Sequence, residues 1–237
     1  MSKPGVLLLH GFTSHRSSLE AIIPALDKYG LEWHYPILAG HGTSPKDLKD
    51  KRWYHWHQDA EQAYRYVRQA HERVVIIALS MGALLGLELA AYHQPNVTGL
   101  VLVAPCLRFK NPAAKHTKLI SKVLPRFPNA RKDKYSSPEY AANDKGYSWF
   151  PTKTYQSFWE RTNQMSEIIR AVRCPVRIIQ SRLDNIADPR GAQEIYDQLK
   201  SPKELLWHEK SGHEMFLDAE TDEVIHEIMD FTPLKAA

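Results

Sequence analysis

The sequence predicts an α/β protein with one mostly parallel sheet of about six strands, helices on both faces, and an inserted helical cap. Short apolar runs rich in valine, leucine and isoleucine alternate with amphipathic segments along most of the 237 residues. Such runs are typical of parallel strands that are covered on both faces. The alternation is interrupted only between residues 107 and 173, a stretch too long for an ordinary loop.

Each element follows from a local pattern. Apolar runs predict strands over 6–10 (VLLLH), 31–37, 74–79 (VVIIAL), 99–104 (GLVLVA), 176–181 (VRIIQS) and 204–209 (ELLWHE). Apolar residues at helical spacing predict helices over 17–29, 52–70, 81–93, 189–200 and 220–231. The stretch LAGHGTSP at 38–45 has the composition of a turn.

The interruption defines the predicted domains. We expect residues 1–106 and 174–237 to form the core and residues 107–173 to form a mainly helical cap. The cap has 14 lysines and arginines against 5 acidic residues, whereas the rest of the chain has 17 against 22. The excess positive charge therefore lies in one internal block. Because no nucleic-acid-binding motif accompanies it, we expect no nucleic-acid partner.

The composition also bears on whether the protein is disulfide-rich, metal-binding, secreted or transmembrane. The two cysteines are far apart and match no metal spacing, so we expect neither a disulfide framework nor a metal site, and no cofactor. The apolar run near the amino terminus is shorter than that of a signal peptide. No apolar run approaches the length of a transmembrane segment. These observations predict a cytoplasmic protein with reduced thiols.

Residues 78–82 (ALSMG) lie where a predicted strand passes into a predicted helix. A sharp turn there would project the hydroxyl of Ser80 above the sheet edge, and small residues two positions to either side would let strand and helix pack closely. Gly82 fits this pattern, and Ala78 adds only a methyl group to it. The alternative is a serine that merely caps a core helix. We interpret Ser80 as a nucleophile.

Residues 10–13 (HGFT) follow the first predicted strand. A turn at this position can direct the N–H of Phe12 into the site, where it would form an oxyanion hole with the N–H of Met81. His10 itself is interpreted as structural, with its side chain beneath the loop.

A serine nucleophile needs a base, and the base needs a carboxylate that orients it. In this architecture the carboxylate and then the histidine base follow the serine along the chain, each on the loop after a later strand of the sheet. Asp184 follows the strand at 176–181, and His213 follows the strand at 204–209. Asp188 is an alternative acid, but because it precedes Pro189 it is better interpreted as a helix cap.

Other histidines are weaker candidates. His208 lies within a strand pattern, and His226 lies on the last predicted helix. His55 and His57 suggest a metal site at first sight, but histidines two residues apart do not share a helix face.

The segments HGFTSH, PILAGHGTSPKDL, LSMGALLGLELA, LVLVAP and SPKELLWHEKSGHEMFLD together resemble the small bacterial carboxylesterases and monoacylglycerol lipases of the α/β-hydrolase fold. The resemblance covers roughly residues 5–106 and 174–232 and is weak in the cap. It implies a triad of Ser80, Asp184 and His213, an oxyanion hole at Phe12 and Met81, and a structural role for His41. The family usually has antiparallel strands before the first parallel strand; because few residues precede the run at 6–10 here, we expect a sheet of about six strands without them.

The expected reaction is hydrolysis of a short- to medium-chain acyl ester or a monoacylglycerol through an acyl-serine intermediate. A thioesterase, amidase or C–C hydrolase would use the same triad, and a silent ligand-binding homologue is the alternative outside enzymes. Among the cap aromatics we expect Trp149, Phe150, Phe158 and Trp159 to contact substrate.

Within the cap, the segment 115–124 (KHTKLISKVL) has lysines on one helical face and apolar residues on the other. We favour a solvated helix over the protein's own pocket. The alternative hypothesis is peripheral contact with an anionic lipid surface.

Overall fold

The computed structural model describes residues 3–129, 131–142 and 144–235. The strands are β1 (Gly5–Leu9), β2 (Trp33–His34), β3 (Val74–Leu79), β4 (Val97–Val103), β5 (Arg126–Pro128), β6 (Trp149–Pro151), β7 (Val176–Ser181) and β8 (Lys203–His208). Six of them form one sheet in the order β2-β1-β3-β4-β7-β8, and every pair in it is parallel. The prediction of a six-stranded parallel sheet is therefore confirmed.

Helices cover both faces of this sheet. The helices of the described residues are α1 (Ser17–Glu20), α2 (Ile23–Lys28), α3 (Trp53–Ala70), α4 (Met81–Tyr92), α5 (Thr117–Val123), α6 (Pro138–Ala141), α7 (Thr152–Thr162), α8 (Ser166–Ala171), α9 (Pro189–Gln198), α10 (Thr221–Met229) and α11 (Thr232–Lys235). Short 3₁₀ turns lie at Pro45–Leu48, Pro112–His116 and Arg131–Lys134. The core divides into two clusters of buried side chains, one on each face of the sheet.

The central strands are buried along their whole length because neither face reaches solvent. All residues of β1, β3 and β7 are buried. Helix α4 follows β3 directly, and ten of its residues are buried. A helix that is apolar all round belongs in the interior of a protein. This burial fixes the start of α4, and with it Ser80, relative to the sheet.

Two predicted elements are wrong in their bounds. The strand expected over 31–37 is reduced to Trp33–His34, because it lies at the sheet edge and Pro36 has no N–H for the ladder. The helix expected over 17–29 is divided into α1 and α2. Pro24 lies in the first turn of α2, where a proline is tolerated but cannot continue a preceding helix.

The segment 107–173 leaves the sheet after β4 and returns at β7. Besides α5 to α8 it holds β5 and β6, an antiparallel pair in which Phe127 lies opposite Phe150. The sequence does not predict this pair of strands. Each is only three residues long and ends in a proline, a residue that disfavours a strand assignment.

A buried carboxylate joins this segment to the core. Glu88 on α4 is fully buried and accepts hydrogen bonds from the indole of Trp53 at 3.0 and 3.2 Å. The imidazole of His57 bonds to it at 2.6 Å, and Arg161 on α7 forms an ion pair with it. Glu88 therefore links α3, α4 and α7.

No helix among residues 3–129, 131–142 and 144–235 is both long and apolar enough to cross a bilayer. The cytoplasmic location stays a prediction.

Candidate active site

Ser80 occupies a sharp turn between β3 and α4. Its φ of 56° and ψ of −113° are unusual for a residue with a side chain, and strain of this kind is typical of functional turns. The helix that follows approaches β1 very closely. A Cβ at Gly82 would lie 2.4 Å from the carbonyl oxygen of Leu9, so this position requires glycine. Ala78, which is fully buried in β3, is accommodated.

Asp184 and His213 come together with Ser80. The Nε2 of His213 lies 2.9 Å from the Oγ of Ser80, and its Nδ1 lies 2.8 Å from Oδ2 of Asp184. The carboxylate can only accept, so Nδ1 carries the proton and Nε2 is left to accept from the hydroxyl. All three residues are buried.

The carboxylate of Asp184 is itself held in place. Its Oδ1 accepts the backbone N–H groups of Ile186 at 2.8 Å and Ala187 at 2.9 Å. Its Oδ2 also accepts from the side-chain amide of Gln180 at 3.0 Å. These donors satisfy a fully buried charge and orient it towards the imidazole.

The pKa of His213 is raised above its ordinary value of 6.5. Burial acts to lower it, but the negative charge of Asp184 and its hydrogen bond outweigh that effect. An imidazole with a raised pKa is a better proton acceptor for the hydroxyl of Ser80.

The loop after β1 lies against Ser80. A Cβ at Gly11 would be 3.1 Å from the Cβ of Ser80. Met81 is the first residue of α4, so its N–H has no acceptor within the helix. Phe12 lies on the wall of the cavity above Ser80.

His10 lies beneath this loop. Its Nδ1 donates to the carbonyl of Gly11 at 2.9 Å, and its Nε2 accepts the N–H of Leu38 at 3.0 Å. Burial lowers its pKa to about 4, so the ring is neutral at physiological pH. Both ring nitrogens are thus used to hold backbone, as a structural residue would.

A cavity of about 390 Å³ opens above Ser80 and His213. The apolar residues on its wall are mostly aromatic: Phe12, Cys106, Phe109, Phe127, Pro128, Phe150, Tyr155, Phe158 and Ile186. The polar residues on its wall include Thr13, Ser14, Asn111, Asn129, Asp133, Lys134, Asn185 and Glu214. The site can therefore receive a molecule that has both apolar and polar groups.

Of the four aromatic residues expected to contact substrate, two line this cavity and two do not. Phe150 and Phe158 line this cavity. Trp159 instead lines a neighbouring, more polar cavity of about 440 Å³, which shares Phe109 and Asn111 with the first. Trp149 is on neither wall, and Arg126 lies over its ring at 4.7 Å.

The sequence reasoning missed one pair of charges in the cavity. Lys134 and Glu214 are each about 95% buried, and their Nζ and Oε1 atoms lie 3.3 Å apart. Oε2 of Glu214 is buried and has no hydrogen-bond partner in the described structure. Glu214 could have been found from its position directly after His213, whereas Lys134 carries no such signal.

The alternative residues have other partners. Asp188 accepts the N–H of Arg190 at 3.0 Å and caps α9, as predicted. Nε2 of His208 lies 3.0 Å from a carboxylate oxygen of Glu227, and His208 does not line the cavity. His226 lies on α10.

Two groups of side chains are considered as metal ligands, the one weighed from the sequence at His55 and His57 and a second one in the structure. His55 bonds to the N–H of Arg52, and His57 bonds to Glu88, so their rings do not converge. His208, Glu220 and Glu223 bring ligand atoms within 4.8 Å of one another. Since Glu220 already accepts backbone N–H groups from residues 209, 210 and 211, this group has an evident structural role.

Strained serine, imidazole and carboxylate at the carboxyl edge of a parallel sheet define the class of α/β-hydrolases. Within that class, the chain belongs to the family described as serine aminopeptidase, S33 (Hydrolase_4), whose model matches residues 2–220.

Similar proteins agree with this class. A carboxylesterase of Bacillus subtilis (strain 168) is 26% identical over 229 residues, which is 95% of this chain and 91% of that protein. A thermostable monoacylglycerol lipase of Bacillus sp. (strain H-257) is 28% identical over 228 residues, 96% of this chain and 89% of that protein. The predicted resemblance to carboxylesterases and monoacylglycerol lipases is confirmed.

Solved structures show the same fold. One from work on LipS and LipT, two metagenome-derived lipolytic enzymes, has a TM-score of 0.90 at 25% identity and covers 99% of this chain and 95% of that chain. A soluble variant of monoglyceride lipase from Saccharomyces cerevisiae has a TM-score of 0.81 at 20% identity, covering 95% and 84%.

Proposed function

We propose that the protein hydrolyses carboxylic esters through an acyl-serine intermediate, with Ser80, His213 and Asp184 as its catalytic triad. The observation that carries the proposal is the continuous chain of hydrogen bonds from the Ser80 hydroxyl through the His213 imidazole to the Asp184 carboxylate, at 2.9 and 2.8 Å. Three groups at these distances are what general-base activation of a serine requires.

The reaction divides into two proton-balanced halves. Nε2 of His213 takes the proton of Ser80 as its Oγ attacks the ester carbonyl, and the imidazolium then gives that proton to the departing alcohol. Water attacks the acyl-serine in the same way and releases the acid. The N–H groups of Phe12 and Met81 would stabilise the oxyanion of both tetrahedral intermediates, and such donors contribute about 10²–10³ in rate apiece.

The cavity supports an ester with an apolar acyl group. Its aromatic side chains suit the acyl chain, and its polar side chains suit the alcohol. A volume of about 390 Å³ is near the lower end for ligand pockets, which favours short- to medium-chain acyl groups or a monoacylglycerol. The names of the two Bacillus relatives support the same substrate class.

A fluorophosphonate probe tests the nucleophile. We expect strong labelling of the wild type and of Ser148→Ala, a control at an exposed serine, and none of Ser80→Ala. Equal labelling of Ser80→Ala would refute the assignment. A folded wild type that is not labelled would favour a non-catalytic binding protein. Esters graded by acyl length, with matched thioesters and amides, would then separate the remaining reaction classes.

We also propose that residues 107–173 act as a cap whose outer face contacts anionic lipid. Leu119 and Val123 on α5 have exposed fractions of 67% and 82%, so this apolar face does not pack on the pocket. Lys118 and Lys122 lie exposed beside it, and residues 107–129 contain no acidic residue. Exposed apolar groups among lysines suit an anionic interface.

Vesicle sedimentation tests this contact. We expect binding to increase with the fraction of anionic lipid at low salt, and to fall several-fold in Lys118→Glu/Lys122→Glu. The control is Lys28→Glu/Lys200→Glu, which changes the net charge equally at exposed sites outside the cap. Equal loss in both variants, or no response to anionic lipid, would refute the contact.

A further inference from the structure

A short piece of the inserted segment lies directly against the loop that carries His213. We call residues 134–136 the strap. The carbonyl oxygen of Lys134 accepts the backbone N–H of His213 at 2.6 Å and that of Glu214 at 3.1 Å. A Cβ at Gly212 would lie 2.5 Å from the same oxygen, so glycine at 212 allows the strap to approach. The backbone of His213 is therefore held by the insertion.

One carboxylate joins the strap to this loop. Asp218 is 4% exposed, and its Oδ2 accepts the N–H of Gly212 and the N–H of Ser136, each at 2.7 Å. Its Oδ1 accepts the N–H of Ala219 at 2.8 Å and the hydroxyl of Ser136. A buried carboxylate needs such donors, and here they come from both segments.

The other half of the loop has a separate anchor. Glu220 accepts the N–H groups of Glu209, Lys210 and Ser211. Its bonds end at Ser211, one residue before Gly212. Asp218 is thus the carboxylate that fixes the backbone at the step into His213.

We infer that Asp218 is a positioning residue for His213, acting through Gly212 and the strap. This inference rests on the proposed function. The side chain of His213 must present Nε2 to Ser80 while Nδ1 faces Asp184, and both distances depend on where its backbone lies. A displacement of about 1 Å at a reacting group can reduce a rate about 100-fold.

One residue of the strap also faces the cavity, since Lys134 lies on the cavity wall beside Glu214. The segment that holds the backbone of His213 therefore also forms part of that wall.

Asp218→Asn tests the inference, because an amide cannot accept on both of its positions. Active sites are counted with the fluorophosphonate probe, so that kcat is expressed per competent site. We expect kcat per site to fall about 10- to 100-fold with KM within about twofold of the wild type. Asp222→Asn, at an exposed carboxylate on α10, serves as the control and should leave both unchanged. Fewer sites in Asp218→Asn with unchanged kcat per site would mean a structural role only and would overturn the inference.

A second readout does not depend on activity. The Nδ1 proton of His213 in its hydrogen bond to Asp184 gives a low-field proton resonance. We expect that resonance to shift or broaden in Asp218→Asn and not in Asp222→Asn; an unchanged resonance would overturn the inference even if the enzyme proved inactive on esters. If Asp218→Asn does not fold, Ser136→Ala takes its place. It removes only the hydroxyl bond to Oδ1, so we expect a smaller loss of kcat, about threefold, with the same unchanged KM.

Discussion

Glu88 offers the most direct test of how the insertion is attached to the core. The substitution Glu88→Gln keeps the shape of the side chain but removes its charge. His57 and Arg161 then lose an anionic partner that is fully buried, while the indole of Trp53 keeps an oxygen to bond to. The substitution therefore weakens the contacts that join α3, α4 and α7.

The magnitude follows from burial. Removing one partner of a fully buried ion pair costs roughly 3–5 kcal/mol. The side chains of Arg161 and His57 are 20% and 33% exposed, so water partly compensates them and the cost is smaller. We expect Glu88→Gln to lower the free energy of unfolding by about 2–3 kcal/mol. For a chain of this size that corresponds to a fall in Tm of roughly 4–12 °C.

The cost should depend on pH. The hydrogen bond and charge of Glu88 raise the pKa of His57 despite an opposing effect of burial. A group whose pKa is raised by folding stabilises the protein fully below its unfolded pKa, and this stabilisation is lost as the pH rises through its folded pKa. The difference between wild type and Glu88→Gln should therefore be larger near about pH 6 than near about pH 9.

Urea unfolding followed by fluorescence and circular dichroism at both pH values measures this difference. Glu160→Gln, an exposed neighbour of Arg161 on α7, is the matched control and should change stability by less than about 0.5 kcal/mol. A loss below about 1 kcal/mol in Glu88→Gln, or one that grows with pH, would refute the reasoning.

Three further predictions concern the site. In a series of rate measurements against pH, the raised pKa of His213 should place the acidic limb of ester hydrolysis above pH 6.5. Asp184→Asn should move that limb to lower pH and reduce kcat about 10⁴-fold. Gly82→Ala should cost about 3 kcal/mol in urea unfolding, because its Cβ would collide with the carbonyl at the end of β1; a neutral effect would contradict that contact. Phe150→Leu should change the dependence of kcat/KM on acyl length, whereas Trp149→Leu, outside the cavity wall, should leave it unaltered.

The core of the fold could be predicted because burial on both faces imposes a simple pattern. The run at 176–181 becomes β7 with the same bounds, and the run at 74–79 becomes β3. The ends of the edge strand β2 could not be predicted in this way. Its residues alternate between apolar and polar side chains, and Pro36 interrupts its ladder of hydrogen bonds.

The three residues of the proposed triad could be placed because the carboxyl ends of parallel strands meet at one edge of the sheet. Ser80, Asp184 and His213 each follow a strand of the same sheet, so order along the chain predicts proximity. The residues that line the cavity could not be predicted from the order of strands. Whether an aromatic residue of 107–173 lines the cavity, as Phe158 does, or lies outside it, as Trp149 does, depends on side-chain packing that has no periodic pattern in the sequence.

The first and last described elements, β1 and α11, have residues on the side of the sheet opposite Ser80. The N–H of Gly5, the first residue of β1, donates to the carbonyl of Arg73, while Pro233 on α11 packs against Gly99 near the start of β4. Both are at the amino edge of the sheet, and Ser80 is at the carboxyl edge. A tether attached near Gly5 or Pro233 would therefore project from the side of the sheet opposite Ser80, and an immobilised protein would keep the opening of its cavity exposed to solvent.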